Sequence, residues 1–359
     1  FLISTYKMFL FLRPFFRRLL NKMAPPMTCL YVDRRDVLLK HDAGAIVFYE
    51  NGQRSATVPL APLTRLILRG KVTLEAGLLG QLGQRGVGVL FLSGRNGDPH
   101  LLLGPGHNDI QRRVVQVRLS LDSHFCLSYA NALVQEKIQT QINSLDELRQ
   151  HYPQARLPLT QALRQLQEQT QRLPQAPNLD SLRGMEGAAA AAYFAGLRAV
   201  VPASLHFQER NRRPPRDPFN ALLSLTYTLV TAEVAMALHI AGYDPCIGYY
   251  HQISHSRQSL ACDLMEPLRP LADRLCLRMV AQQTLRAEHF THTNTGGACL
   301  LGKAGRVRYY QAYEENARPL RRAISAQVKA LAQRINPELP QPATNLKAPT
   351  ADESYALDD

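Results

Sequence analysis

Two histidines and two acids crowd one short stretch, GYYHQISHSRQSLACDLMEPLRP (248–270). His251 and His255 lie in a polar run with Ser259 as a helix N-cap candidate. Asp263 and Glu266 follow three residues apart, a spacing that stacks them on one face of a helix. Two carboxylates so placed repel each other unless a cation or a proton lies between them. Imidazole plus carboxylate oxygens is a ligand set for a divalent ion such as Mg²⁺ or Mn²⁺, with positions left for water and phosphate oxygens. Surface charges beside ordinary histidines would read the same way, and spacing does not choose between His251 and His255. A third acid, Glu186, sits among small residues in SLRGMEGAAAAAYF (181–194), where another helix or a substrate can approach closely. Alone, an acid near a helix start is usually a dipole or capping partner. Beside the second cluster it becomes a candidate ligand.

Cations flank these acids. Arg183 precedes Glu186, Arg257 lies between the histidines and Asp263, and Arg269 follows Glu266. The segment 206–220 concentrates Arg210, Arg212, Arg213 and Arg216, and GKAGRVRYYQAYEENARPLRR (302–322) interleaves Lys303 and Arg306 with tyrosines. Arginines near a metal site are what phosphodiester chemistry needs, because the metal activates a nucleophile while the arginines hold the backbone. The 302–322 run suits phosphate binding with base stacking, or equally an exposed helix whose tyrosines pack inward. The whole chain of 359 residues carries 42 Lys+Arg against 29 Asp+Glu, a net charge of +13. That excess suits a polyanion, either nucleic acid or an anionic membrane. Phosphate-loop NTPase, serine hydrolase and zinc-peptidase motifs are all missing. Six cysteines without a CxxC pair point to a reducing cytoplasm and buried thiols.

The elements that position these residues divide in two. Residues 27–104 show short β runs: CLYV (29–32), DVLLK (36–40), AIVFY (45–49), an Asn51-Gly52 turn, SATVPL (55–60), LTRLILRGKVTL (63–74) and VGVLFLS (87–93). One short helix is expected over 75–86. A hinge at 105–111, entered through Gly104-Pro105-Gly106, precedes long helical patterns over 112–335, including 112–142, 159–173 and the apolar 221–242. The fold class is therefore α+β, a small β-rich domain followed by a larger all-α domain. No run of about 18 apolar residues suggests a spanning helix. Residues 1–26 are basic and aromatic without an acid, and 336–359 is Pro-rich, acidic and expected to be disordered.

Three blocks in this order resemble the CRISPR-associated adaptation integrase, the first of the two universal spacer-acquisition proteins. They are LRGMEGAAAAAYF (182–194), RRPPRDPFNALLSLTYTLV (212–230) and Gly248 through Pro270, and the likeness runs from about Leu30 to Arg322. The resemblance implies a Mg²⁺ or Mn²⁺ site made by Glu186, His251 and Glu266, with Asp263 assisting. It favours His251 over His255, which becomes a DNA contact or a loop residue. It also implies DNA endonuclease and strand-transfer activity, in which a 3′-hydroxyl of a short captured DNA attacks a phosphodiester at the edge of a CRISPR repeat. Implied partners are spacer-precursor and repeat DNA, a second copy of the chain joined through the β domains, and the second adaptation protein. A catalytically silent DNA-binding scaffold is the competing reading. Residues 1–26 fall outside the family pattern and are compatible with the end of a fused reverse transcriptase. Pro267, directly after Glu266, is expected to disturb the acid pair.

Overall fold

The computed structural model describes residues 28–93, 98–107, 109–211, 214–251, 257–293 and 297–339. Segments 1–26 and 340–359, together with Arg213 and His255, lie outside the described residues.

The first seventy-odd described residues fold as two four-stranded sheets. One has the order β1 (Thr28–Asp33), β5 (Leu63–Arg69), β7 (Gly88–Ser93), β8 (Asp98–Leu102). The other has the order β4 (Gln53–Pro59), β3 (Ala45–Glu50), β2 (Val37–Asp42), β6 (Val72–Leu74). Asn51 and Gly52 both take positive φ (51° and 77°), giving the expected tight turn between β3 and β4. β1, β5 and β7 run parallel. A central parallel strand buried on both faces reads as a continuous apolar run, as Leu66-Ile67-Leu68 of β5 do, with the buried Arg65 as the exception. Leu66 and Leu68 join Leu30, Leu39, Ile46 and helix α1 (Ala76–Gln84) in a core between the sheets. Ile67, together with Leu90 and Leu92 of β7, joins the core of the helical part.

The helical part begins with α2 (Ile110–Ser120) and α3 (Ser123–His151). The helical pattern read over 112–142 is divided between these two helices because Asp122 caps α3, accepting the backbone N–H groups of His124 and Phe125. There follow α4 (Arg156–Arg172), α5 (Leu179–Arg198), α6 (Pro218–Ile240), α7 (Ser259–Met265), α8 (Arg269–Ala281), α9 (Lys303–Asn316) and α10 (Arg318–Ile335). By length and composition α6 could cross a membrane, yet 72% of its most apolar window is buried inside the protein, as befits a central core helix. The part expected to be all-helical also holds a short antiparallel hairpin, β9 (Phe290–His292) with β10 (Cys299–Leu301). The acidic tail was expected to be disordered from 336, but Asn336–Glu338 forms a 3₁₀ turn and Glu338 pairs with Arg118 at 2.6 Å.

Ion pairs and an aromatic stack join the two parts. Arg65 of β5 reaches Glu233 of α6 at 2.6 Å, and Arg306 of α9 reaches Asp33 of β1 at 2.5 Å. The Tyr31 ring stacks on Tyr310 at 4.3 Å, and its hydroxyl donates to Glu314.

Candidate metal centre

Pro267 decides how the third block folds. Proline offers no N–H and its ring clashes with the preceding turn, so α7 ends at Met265. Glu266–Leu268 tighten into a 3₁₀ turn before α8 resumes. The two acids consequently lie at opposite ring nitrogens of His251 instead of stacking on one straight face. Asp263 turns to the preceding loop, where Oδ2 accepts the backbone N–H groups of Tyr249 (2.8 Å) and Tyr250 (3.0 Å). Its Oδ1 accepts the His251 backbone N–H at 2.8 Å and contacts the ring Nδ1 at 2.7 Å. The loop can lie this close only because residue 248 is glycine. A Cβ there would stand 2.8 Å from the Ser259 carbonyl carbon and 2.9 Å from Asp263 Oδ2. Ser259 is the first residue of α7 and is fully buried; Gln258 occupies the cap position assigned to it from sequence.

Glu266 points toward Lys137 of α3. Its Oε2 contacts Lys137 Nζ at 2.5 Å and Arg269 Nε at 2.9 Å, while Oε1 lies 3.8 Å from His251 Nε2. Glu186 is the eighth residue of α5, well inside the helix, so the capping explanation does not apply. Its Oε1 pairs with the same Lys137 Nζ, and its Oε2 accepts the Tyr250 hydroxyl at 3.2 Å. Glu186, Glu266 and the outer nitrogen of His251 therefore border one small volume. Glu266 and Lys137 close its floor at 4% side-chain exposure, and Glu186 (20%) and His251 (26%) open it to solvent. Burial alone would raise the Glu266 carboxyl, but the Arg269 and Lys137 charges override it and hold the group well below its usual range. Burial and the Glu186 charge push the Tyr250 phenol far up, so it remains a hydrogen-bond donor.

The donors fit a divalent ion in kind: two carboxylates, hard ligands suited to Mg²⁺ or Mn²⁺, and an imidazole nitrogen, a borderline donor better suited to Mn²⁺. The two carboxylates already converge on one cation, the Lys137 ammonium, and the imidazole Nε2 lies 3.8 Å from one of them. Among the described residues no three His, Cys, Asp or Glu side chains close into a ready ion-binding cluster, in keeping with an ammonium standing between the acids.

Several basic residues expected on DNA are engaged elsewhere. Arg269 is committed to Glu266 and lies over the Tyr227 ring at 4.7 Å. Arg306 holds Asp33 and the Leu301 carbonyl, tying α9 to the β part. Tyr309, Tyr310 and Tyr313 are buried, so the 302–322 run packs its tyrosines inward and offers no base-stacking platform. Arg183 pairs with Asp180 at 2.6 Å and donates to the Tyr250 carbonyl at 3.1 Å, bracing the residue that touches Glu186. Arg257 bonds Ser259 Oγ at 3.4 Å. Arg216 and Lys303 are exposed.

Lys137 and Tyr250 were missed from sequence. Lys137 had a legible signal. The buried stripe of α3 runs Ala130, Leu133, Val134, Lys137, Ile138, Gln141, Ser144, Leu145, Leu148, so a lysine falls where the helical period demands an apolar side chain. A lysine so placed must meet carboxylates.

A family model for CRISPR associated protein Cas1 matches residues 30–315. The chain belongs to the Cas1 family. It is 36% identical to a CRISPR-associated endonuclease Cas1 of Thermodesulfovibrio yellowstonii over 310 residues, 86% of this chain and 97% of that one. A Cas1 endonuclease of Thermus thermophilus is 32% identical over 79% of this chain and 83% of its own length. Among solved structures, a Cas1 protein from Thermotoga maritima superposes with a TM-score of 0.75 at 22% identity, covering 86% of this chain and 97% of that one. A casposase bound to integration product gives 0.76 at 19% identity, covering 88% and 92%. At these identities the structural matches speak to the fold.

Proposed function

We propose that the chain is a divalent-metal-dependent DNA endonuclease and integrase of CRISPR adaptation, joining short spacer DNA to the CRISPR repeat in the cytoplasm. The observation that carries this reading is the meeting of Glu186 and Glu266 on the Lys137 ammonium, with His251 Nε2 3.8 Å from Glu266 Oε1. Relatives named Cas1 endonucleases, at 36% and 32% identity, support the nuclease class. A solved complex titled Cas6-RT-Cas1–Cas2, which the chain matches over 36% of that complex's chain at a TM-score of 0.74, supports the second adaptation protein as a partner. A homodimer is proposed with it.

Mg²⁺ or Mn²⁺ held by Glu186, His251 and Glu266 would supply Lewis-acid stabilisation of a reacting phosphodiester. The chain's own residues do the rest. Asp263 orients the His251 ring, Tyr250 orients Glu186, and Arg269 fixes Glu266. Exposed Arg216 and Lys303 serve DNA backbone. No protein nucleophile is needed, since the attacking group is a DNA 3′-hydroxyl or, for hydrolysis, water. The test is joining of a short duplex to a repeat-bearing plasmid with Mn²⁺ or Mg²⁺. Glu186→Ala, His251→Ala and Glu266→Ala should each abolish joining and leave DNA binding within a few-fold. Joining at full rate by all three variants would overturn the assignment.

A further inference from the structure

Lys137 stands where an ion's charge would stand. It leaves α3 from the buried stripe, its side chain is 4% exposed, and its ammonium meets Glu186 on α5 and Glu266 between α7 and α8. Three elements distant in sequence are thus drawn together by one amine. Glu186 and Glu266 face two fixed cations, Lys137 and Arg269, and Asp263 stands behind the His251 ring; over these three acids and two cations the balance is one net negative charge. A divalent ion entering such a site meets an ammonium already on its oxygens and tips the balance to one net positive charge. A phosphodiester, with its single negative charge, restores neutrality.

We infer that Lys137 is a positioning residue that acts as a resident counter-ion: it holds the two carboxylates together before metal arrives and couples metal binding to the arrival of DNA phosphate. The inference rests on the metal reading above. Lys137 makes the metal-free site stable and therefore weakens metal binding, because an ion gains less from acids that are already paired. DNA recovers the difference by neutralising the surplus charge. The site then loads fully only on its substrate.

Lys137→Met keeps the length of the stem and removes the charge, and Lys137→Arg keeps the charge. Mn²⁺ is titrated calorimetrically into the full chain with and without an unreactive duplex, and Tm is read alongside. In the wild type the duplex should tighten Mn²⁺ binding several-fold. Lys137→Met should melt lower without metal, bind Mn²⁺ alone about tenfold tighter, since a unit charge at contact distance has been removed, and show a smaller effect of duplex. Lys137→Arg should stay near the wild type. Mn²⁺ binding that is unchanged or weaker in Lys137→Met, with a measurable wild-type affinity, would overturn the inference and leave the metal reading standing. If no variant binds Mn²⁺ with or without duplex, the metal reading falls and the coupling with it, whatever the metal-free Tm does.

Discussion

The Asp263 Oδ1 atom fixes both the backbone and the ring of one residue: it accepts the His251 N–H at 2.8 Å and lies 2.7 Å from His251 Nδ1. A carboxylate at Nδ1 places the ring proton there and leaves the lone pair on Nε2. That lone pair faces Glu266 Oε1 at 3.8 Å. The histidine thus separates two acids that the sequence spacing suggested would share a cation directly, and it makes Asp263 a positioning residue for the proposed ligand.

Asp263→Asn should therefore lower joining and Mn²⁺ affinity together by about 10–100-fold, the usual cost of losing the partner behind a ligating histidine. An amide presents one acceptor oxygen where the loop and ring together use two. Parallel measurement of joining rate and Mn²⁺ binding checks this. Loss of joining with unchanged metal affinity would place Asp263 on the substrate side of the site instead.

Much of this architecture was legible in the residues. The Asn51-Gly52 turn, the strands around it and the break after Gly104 follow from local chemistry, since turn residues and period-2 runs carry their own signal. The proposed ligand set rests on residue type and family likeness. What escaped was the long-range pairing. Arg306 read as a phosphate contact because nothing in its local sequence records Asp33, 273 residues away; Arg269, three residues from Glu266, shows instead that a local pair competes with phosphate. Lys137 escaped for the same reason, though its place on an apolar stripe flagged it.

The junction between β part and helical part rests on a buried charge network, and Glu233 is its centre. It pairs with Arg65 at 2.6 Å and with Arg321 at 3.0 Å, and Arg65 has two further buried nitrogens without partners. Removing one partner of a buried pair strands the other charge, a cost of roughly 3–5 kcal/mol. Glu233→Ala should lower Tm sharply, and adding Arg65→Met should recover part of the loss by removing the stranded cation. A Tm unchanged by Glu233→Ala would mean that the junction does not depend on the Glu233 network.

Asp273 gives the stability a pH slope of its own. Burial lifts its carboxyl to about 6, against the pull of the Tyr227 hydroxyl and Arg210. Between its unfolded value near 3.8 and about 6, the folded chain keeps a proton that the unfolded chain has released. Stability from this group is complete below that window and is lost as pH rises through it, on the order of 3 kcal/mol in all. Asp273→Asn removes the titration. The Tm of the variant minus that of the wild type should rise between pH 4.5 and 7.5, and a constant difference would show that Asp273 stays ionised in the fold.

Lys303 and Arg306 sit three residues apart at the start of α9, and their surroundings assign them opposite roles. Lys303 is exposed, whereas Arg306 is held by Asp33 at 2.5 Å and by the Leu301 carbonyl at 2.8 Å. Counterion release ties the salt dependence of duplex binding to the number of phosphates neutralised, about 0.9 in log–log slope for each. Lys303→Gln should lower that slope by about 0.9 and leave Tm unchanged. Arg306→Gln should leave the slope alone and lower Tm, since it opens the contact between α9 and β1. Fluorescence anisotropy over a salt series, with a thermal melt of each variant, separates the two. The reverse pattern would mean that Arg306 exchanges Asp33 for phosphate when DNA binds, so that the junction between the two parts would itself respond to DNA.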